Sequence, residues 1–323
     1  MKILLSILVF VLLLLLAAAW AIYRFAFYVS PRKREDPYVL PDGPQYQAQR
    51  PRMLSLIRDM DQLPYEPVTI QSFDGTVLTG RYYIFHDGAP LQIQFHGYHG
   101  TPLRDFCGGC RLARELGHNV LAIDQRAHGG SGGVTITFGI RERQDCLAWA
   151  NYARQRFGEA TPIFLSGVSM GAATVLMASE LALPSNVAGI IADCPYSAPE
   201  AILRKVCRTD MRLPPALVMP LLHLGARLFG GFDPREASAV QAVQHTTLPV
   251  LLLHGEDDRF VPCAMSREIY DACAGYRILK TFPGAGHGLS YIVDTATYGQ
   301  TVSQFTDDCL QRLTASASSS LPL

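Results

Sequence analysis

The sequence predicts an α/β domain built on a mostly parallel sheet with helices on both faces. Short apolar runs alternate with longer helical patterns, a rhythm that requires a sheet covered on each side. A Gly-x-Ser-x-Gly pentapeptide falls between such a run and such a helix. Polar clusters rich in glycine follow several of the runs, where sheets of this kind keep their reactive groups.

The elements follow in order. Ile3 to Tyr23 is an uncharged run which, as a helix, would span about 31 Å, the hydrocarbon thickness of a bilayer. Trp20, Tyr23 and Tyr28 form an aromatic belt at its far end, with Arg32, Lys33 and Arg34 beyond. Residues 1–30 therefore read as a single-pass cell-membrane anchor. A cleaved signal peptide ending near Ala19-Trp20-Ala21 is the alternative, and a buried soluble helix a distant third. Lys2 against Arg24, Arg32, Lys33 and Arg34 favours a cytoplasmic body, although a long domain can translocate regardless of flanking charge. The membrane side is left open. Residues 31–66, rich in proline and charge, read as a juxtamembrane linker with one short helix near Met53–Met60.

The folded domain is expected over residues 67–314. It opens with a hairpin, Val68–Phe73 and Thr76–Phe85 around Asp74-Gly75. Strands are predicted at Leu91–His96, Asn119–Asp124, Pro162–Ser166, Val187–Asp193, Val250–His254 and Arg277–Phe282. Helices are predicted at Leu103–Leu116, Arg143–Phe157, Met170–Leu183, Cys263–Ala274 and Thr295–Ala315. Residues 197–240 exceed a simple crossover and read as an inserted helical lid. Its apolar stretch Leu213–Phe229 is either the wall of an acyl pocket or a helix pair packing its own core. The tail, residues 315–323, reads as flexible.

Composition narrows the function. The chain of 323 residues carries 28 basic and 28 acidic residues, a net charge of +0 that argues against a nucleic-acid binder. With 49% hydrophobic and 17% charged residues it is a globular protein rather than a disordered one. Eight cysteines are too few for a disulfide scaffold. Cys107-Gly108-Gly109-Cys110 lacks a second pair and reads as structural thiols, with a disulfide or a redox role as alternatives.

The pentapeptide is Gly167-Val168-Ser169-Met170-Gly171, and its flanking glycines suit a turn too tight for a Cβ. A serine at neutral pH needs a base, and the base needs an orienting acid. His287, within Gly-Ala-Gly-His-Gly, supplies the first. Asp258, in the loop after LPVLLL, supplies the second, with Asp257 and Asp193 as rivals. Acyl transfer also needs donors for an oxyanion. The backbone amides of Tyr98, in His96-Gly97-Tyr98-His99-Gly100-Thr101, and of Met170 stand where such donors belong. His96 and His99 lack the partner spacing of a metal site, and neither a metal nor any other cofactor is expected.

These blocks, with Asp124-Gln-Arg-Ala-His-Gly-Gly-Ser-Gly-Gly133, resemble the α/β-hydrolase superfamily over about Pro67 to Leu313. The likeness is to small bacterial membrane-anchored serine hydrolases related to dienelactone hydrolase and the catalytic domain of prolyl oligopeptidase. It implies an α/β-hydrolase fold, a triad of Ser169, Asp258 and His287, and an oxyanion hole at Tyr98 and Met170. It also implies cleavage of a small-molecule acyl ester, or alternatively of a short peptide. A non-catalytic anchored binding protein is the reading from another class. Ala127 departs from the superfamily pattern, in which glycine is usual at that position.

Overall fold

The computed structural model describes residues 1–30 and 35–319, with side chains to residue 315. The basic cluster Arg32, Lys33 and Arg34 and the end of the tail, residues 320–323, lie outside the described residues. Among the described residues eight strands form one sheet: β1 (Glu66–Gln71), β2 (Val77–Tyr83), β3 (Leu91–Phe95), β4 (Asn119–Ile123), β5 (Ile163–Val168), β6 (Val187–Asp193), β7 (Val250–Gly255) and β8 (Arg277–Phe282). Their spatial order is β1-β2-β4-β3-β5-β6-β7-β8. The β1–β2 hairpin is antiparallel, turning through Gly75 at φ 79°, and β2 runs antiparallel to β4. The other neighbours, β4 through β8, are parallel. The mostly parallel sheet is the one that the strand–helix rhythm predicted, and the architecture is the α/β-hydrolase fold that the resemblance implied.

The helices are α1 (Lys2–Ala26), α2 (Pro44–Asp61), α3 (Pro102–Asp105), α4 (Cys107–Glu115), α5 (Glu142–Phe157), α6 (Met170–Ala178), α7 (Pro199–Lys205), α8 (Pro215–Gly225), α9 (Ala239–Val243), α10 (Cys263–Ala272), α11 (Ser290–Val293) and α12 (Thr295–Ser319). They divide the core in two. Ile163 and Leu165 of β5 point into one cluster with Trp149, Leu176 and Ile269, beneath α5, α6 and α10. Phe164, between them, points into the other with Ile57, Cys110 and Phe305, beneath α2, α4 and α12. Burial on both faces is why β5 reads as an apolar run rather than an alternating one.

Several segments differ from expectation. The helix read over Leu103–Leu116 is two helices, α3 and α4, meeting at Phe106, which leaves helical geometry at φ −118°, ψ 14°. The segment read as a linker, residues 31–66, carries the 18-residue α2, with Pro44 at its first turn and Leu56, Ile57 and Met60 buried on the body. The tail read as flexible from 315 continues α12 to Ser319. Residues 197–240 hold α7, α8 and the start of α9, with single π-turns at Val206–Asp210 and Ala226–Gly230.

The N-terminal helix α1 is long and apolar enough to cross a membrane, and its first half is exposed. Its C-terminal end is not a free tether. Tyr23 and Phe27 are core residues, with Phe27 edge-on to Phe138 and Phe232 at 5.7 and 5.1 Å. Backbone bonds from Val29 N to Val134 O (2.8 Å) and from Ile136 N to Phe27 O (2.8 Å) stitch the exit of α1 to the body.

Candidate active site

Strand β5 ends at Val168 and α6 begins at Met170, so Ser169 alone makes the turn between them. Its backbone sits at φ 56°, ψ −114°, a conformation that non-glycine residues rarely adopt and that costs about 1–3 kcal/mol. The two glycines are required by contact. A Cβ on Gly167 would meet the backbone of Gly171, and one on Gly171 would meet the carbonyl oxygen of Phe95 at the end of β3. The strained turn lifts the Ser169 hydroxyl above the sheet at the N-terminus of α6.

The loops after β7 and β8 meet it there. His287 Nε2 lies 2.9 Å from Ser169 Oγ, and His287 Nδ1 lies 2.7 Å from Asp258 Oδ2. Asp258 is fully buried along its side chain. Its other oxygen accepts the backbone amides of Phe260 (2.9 Å) and Val261 (2.8 Å), which fixes the carboxylate plane. Burial alone would raise its pKa, but His287 and His254 outweigh that and hold the carboxyl well below its usual 3.8. With Nδ1 donating to this carboxylate, Nε2 is left as an acceptor facing the serine hydroxyl.

The rivals are placed elsewhere. Asp257 is exposed in the same loop. Asp193, at the end of β6, is buried beside Tyr298 and Ser290, and burial pushes its pKa up to about 6. The folded protein thus keeps the Asp193 proton to higher pH than the unfolded chain, so this group lowers stability as pH rises from 3.8 to about 6. Asp193→Asn is expected to remove that slope and gain about 3 kcal/mol near neutral pH, with no gain at pH 3.5. Thermal melts across pH 3.5–8 check this, and a gain independent of pH would refute it.

The donor side is built by the β3–α3 loop. Asp105 Oδ2 accepts the Gly97 amide (2.8 Å), and Thr101 Oγ1 caps α3 through the Arg104 amide (3.1 Å). A Cβ on Gly97 would stand 3.4 Å from that of Ser169, so the loop runs directly against the serine. Among the described residues the amides of Tyr98 and Met170 have no protein acceptor. The Tyr98 hydroxyl, in turn, donates to the carbonyl of Ala26 at the end of α1 (3.0 Å). His96 is engaged at both ring nitrogens, by the Gly97 carbonyl (2.8 Å) and the Gln125 amide (3.1 Å), while His99 faces Glu35 at 3.1 Å.

A cavity of about 500 Å³ opens at Ser169 and His287 and runs between the sheet and α4, α11 and α12. Phe106, Leu112, Ile191, Tyr291 and Val302 give it apolar walls. Gly108 and Gly109 line it too, so the Cys-x-x-Cys segment serves as wall. Both of its thiols are free and buried, and burial pushes each up to about 12, where no thiolate forms at neutral pH. Of residues 197–240 only Asp210 reaches the lining, so α8 is not the wall of this cavity.

Sequence reasoning missed Tyr46, whose hydroxyl donates to the His287 carbonyl (2.9 Å) from α2, and Phe260, whose ring lies 5.0 Å from that of His287. Gly43-Pro44, a proline at a first helical turn, was the available signal for α2.

A sheet with a strained strand–serine–helix turn, and a histidine and a carboxylate brought to it from later loops, defines a class of hydrolytic proteins. The chain belongs to the alpha/beta hydrolase family, whose profile matches residues 95–297. It is 28% identical to the uncharacterized protein YqkD of Bacillus subtilis, over 78% of this chain and 83% of that protein. It is 26% identical to the lysophosphatidylserine lipase ABHD12 of Danio rerio, over 67% of this chain but only 54% of the lipase. Among solved structures the Pyrococcus furiosus esterase Pf2001 superposes with a TM-score of 0.65 at 23% identity, over 87% of this chain and 98% of that one. Est1E of Butyrivibrio proteoclasticus, solved with ferulic acid, gives 0.56 at 21% identity over 76% and 99%. These relatives carry the superfamily and a hydrolase reading rather than the narrower likeness to dienelactone hydrolase or prolyl oligopeptidase.

Proposed function

We propose that the chain is a membrane-anchored serine hydrolase that cleaves a carboxylic ester through an acyl-enzyme. The observation carrying this is the continuous relay from Ser169 Oγ through His287 to Asp258, 2.9 and 2.7 Å long, beside two amides without acceptors. His287 Nε2 takes the Ser169 proton as Oγ attacks the acyl carbon. The oxyanion faces the amides of Tyr98 and Met170, each worth about 10²–10³ in rate. His287 then gives the proton to the leaving alcohol, and water repeats the sequence to release the acid. Asp258 holds the ring orientation and offsets its charge. Every step uses these groups and water, so no cofactor is required.

The walls of the cavity suit an acyl chain, and the lipase and esterases among the relatives favour esters over amides. Helix α1 reads as a retained anchor, because Ala19 is fully buried against Gly225 and removal of residues up to Ala21 would strip that contact. Residues 1–30 are thus the anchor and the rest the catalytic body.

Labelling with a fluorophosphonate probe, followed by p-nitrophenyl esters of increasing acyl length and aminoacyl p-nitroanilides, tests the reading. Probe labelling and faster ester turnover are expected. Faster anilide turnover would favour a peptidase, and an unlabelled folded protein would favour a binding role.

A further inference from the structure

We infer that the segment Met211–Phe229 is a second membrane contact, lying in the lipid surface beside α1 and setting the mouth of the Ser169 cavity at the bilayer. The inference rests on reading α1 as an anchor and adds where the body sits on the membrane and where substrate enters.

Helix α8 is apolar nearly all round, yet only Met219, Leu222 and Gly225 are buried along it. Leu217 is 70% exposed, and Met211, Leu213, Leu228 and Phe229 are exposed with it. A contiguous apolar surface of this kind marks an interface. The buried face of α8 packs on α1. Gly225 lets the helices close on each other, since a Cβ there would meet the carbonyl oxygen of Ala19. The contacts advance in the same direction along both helices: Ala19 meets Gly225, and Tyr23 meets Gly225 and Gly230. The N-terminal end of α8, with Leu213 and Leu217, therefore lies toward the stretch of α1 that has no protein around it.

That direction identifies the occupant as lipid. The exposed apolar surface of α1, Ile3 to Leu15, continues onto that of α8, so a bilayer covering the first reaches the second. At 11 residues, about 16 Å, and with Pro220 inside it, α8 is too short to cross and would dip into the lipid surface alongside α1. The cavity opens at the residue just before this segment. Asp210 lines the opening with Arg259 and Phe260, and Lys205 ties them together by bonding Asp210 (2.8 Å) and the Arg259 carbonyl (2.8 Å). Amphiphilic acyl esters would enter from the lipid surface.

Tryptophan quenching on the full chain in phosphatidylcholine vesicles with brominated acyl chains tests this. Wild type reports α1 through Trp20, while Trp149, fully buried, contributes a constant background. In a Trp20→Phe background, Leu217→Trp is compared with Glu159→Trp, an exposed site in the turn before β5 at the opposite edge of the strands. The expected result is a loss of emission for Leu217→Trp comparable to that of Trp20, and none for Glu159→Trp. If wild type is quenched but Leu217→Trp behaves like Glu159→Trp, the second contact is refuted while the anchor stands. A blue-shifted but unquenched Leu217→Trp means that another protein surface, such as a second copy, covers α8, which also refutes it. An unquenched wild type refutes the anchor and the inference with it.

Discussion

Ser169→Ala is expected to lower ester turnover by about 10⁶ and to abolish fluorophosphonate labelling, while leaving stability within about 1 kcal/mol of wild type. The loss is large because the other two members of the relay act only through this oxygen. His287 has no other proton to take in the position it holds, and Asp258 orients His287 alone toward the reaction. Alanine keeps the Cβ, so the strained turn at φ 56° is neither relieved nor worsened. Residual rate above the uncatalysed reaction would come from the oxyanion donors and binding, about 10³. Steady-state turnover and probe labelling on folded protein, with the melting temperature measured alongside, check the outcome. Turnover within tenfold of wild type would remove Ser169 from the chemistry.

Asp258→Asn is expected to cost about 10⁴ in kcat, whereas Asp257→Asn and Asp193→Asn stay within a few-fold. The reason is geometric. One oxygen of Asp258 is held by two backbone amides, and an asparagine oxygen would occupy that place. Its amide nitrogen would then face His287 Nδ1 as a donor and force the proton onto Nε2, where a base is needed. The carboxylate also contributes to stability, because its pKa lies below the usual 3.8. That contribution is complete above 3.8 and lost only as the pH falls through the lowered value, so the variant is destabilised at neutral pH but not in strong acid. Equal losses in Asp193→Asn and Asp258→Asn would return the orienting role to the strand before.

Much of this arrangement was legible in the residues. Val187–Asp193 and Arg277–Phe282 are strands over the spans read for them; the first is buried on both faces and so reads as an apolar run, while the second is a half-buried strand at the sheet edge. Ser169 and His287 stood out because tight turns need glycines and glycines are visible. Ala127, the departure from the superfamily pattern, shows the same rule from the other side, since it sits at φ 62°, where glycine is free of strain. Helix α2 was largely hidden. Its run Gln47–Arg52 is polar and carries Pro51, so no apolar face announces it before Met53. The docking of α1 was hidden for the opposite reason. A helix apolar on every side gives no sign of which residues meet protein and which meet lipid.

Where α1 meets the body, Tyr23 and Phe27 fill space among Phe138, Phe229 and Phe232, and Ala26 receives the Tyr98 hydroxyl. A protease that severed the chain after residue 30 would therefore not simply set an enzyme free in solution. It would extract two aromatic plugs, at about 3–5 kcal/mol for a phenylalanine, and unhook the tyrosine whose own amide is the proposed oxyanion donor. Shedding of this kind would extinguish catalysis as it released the body.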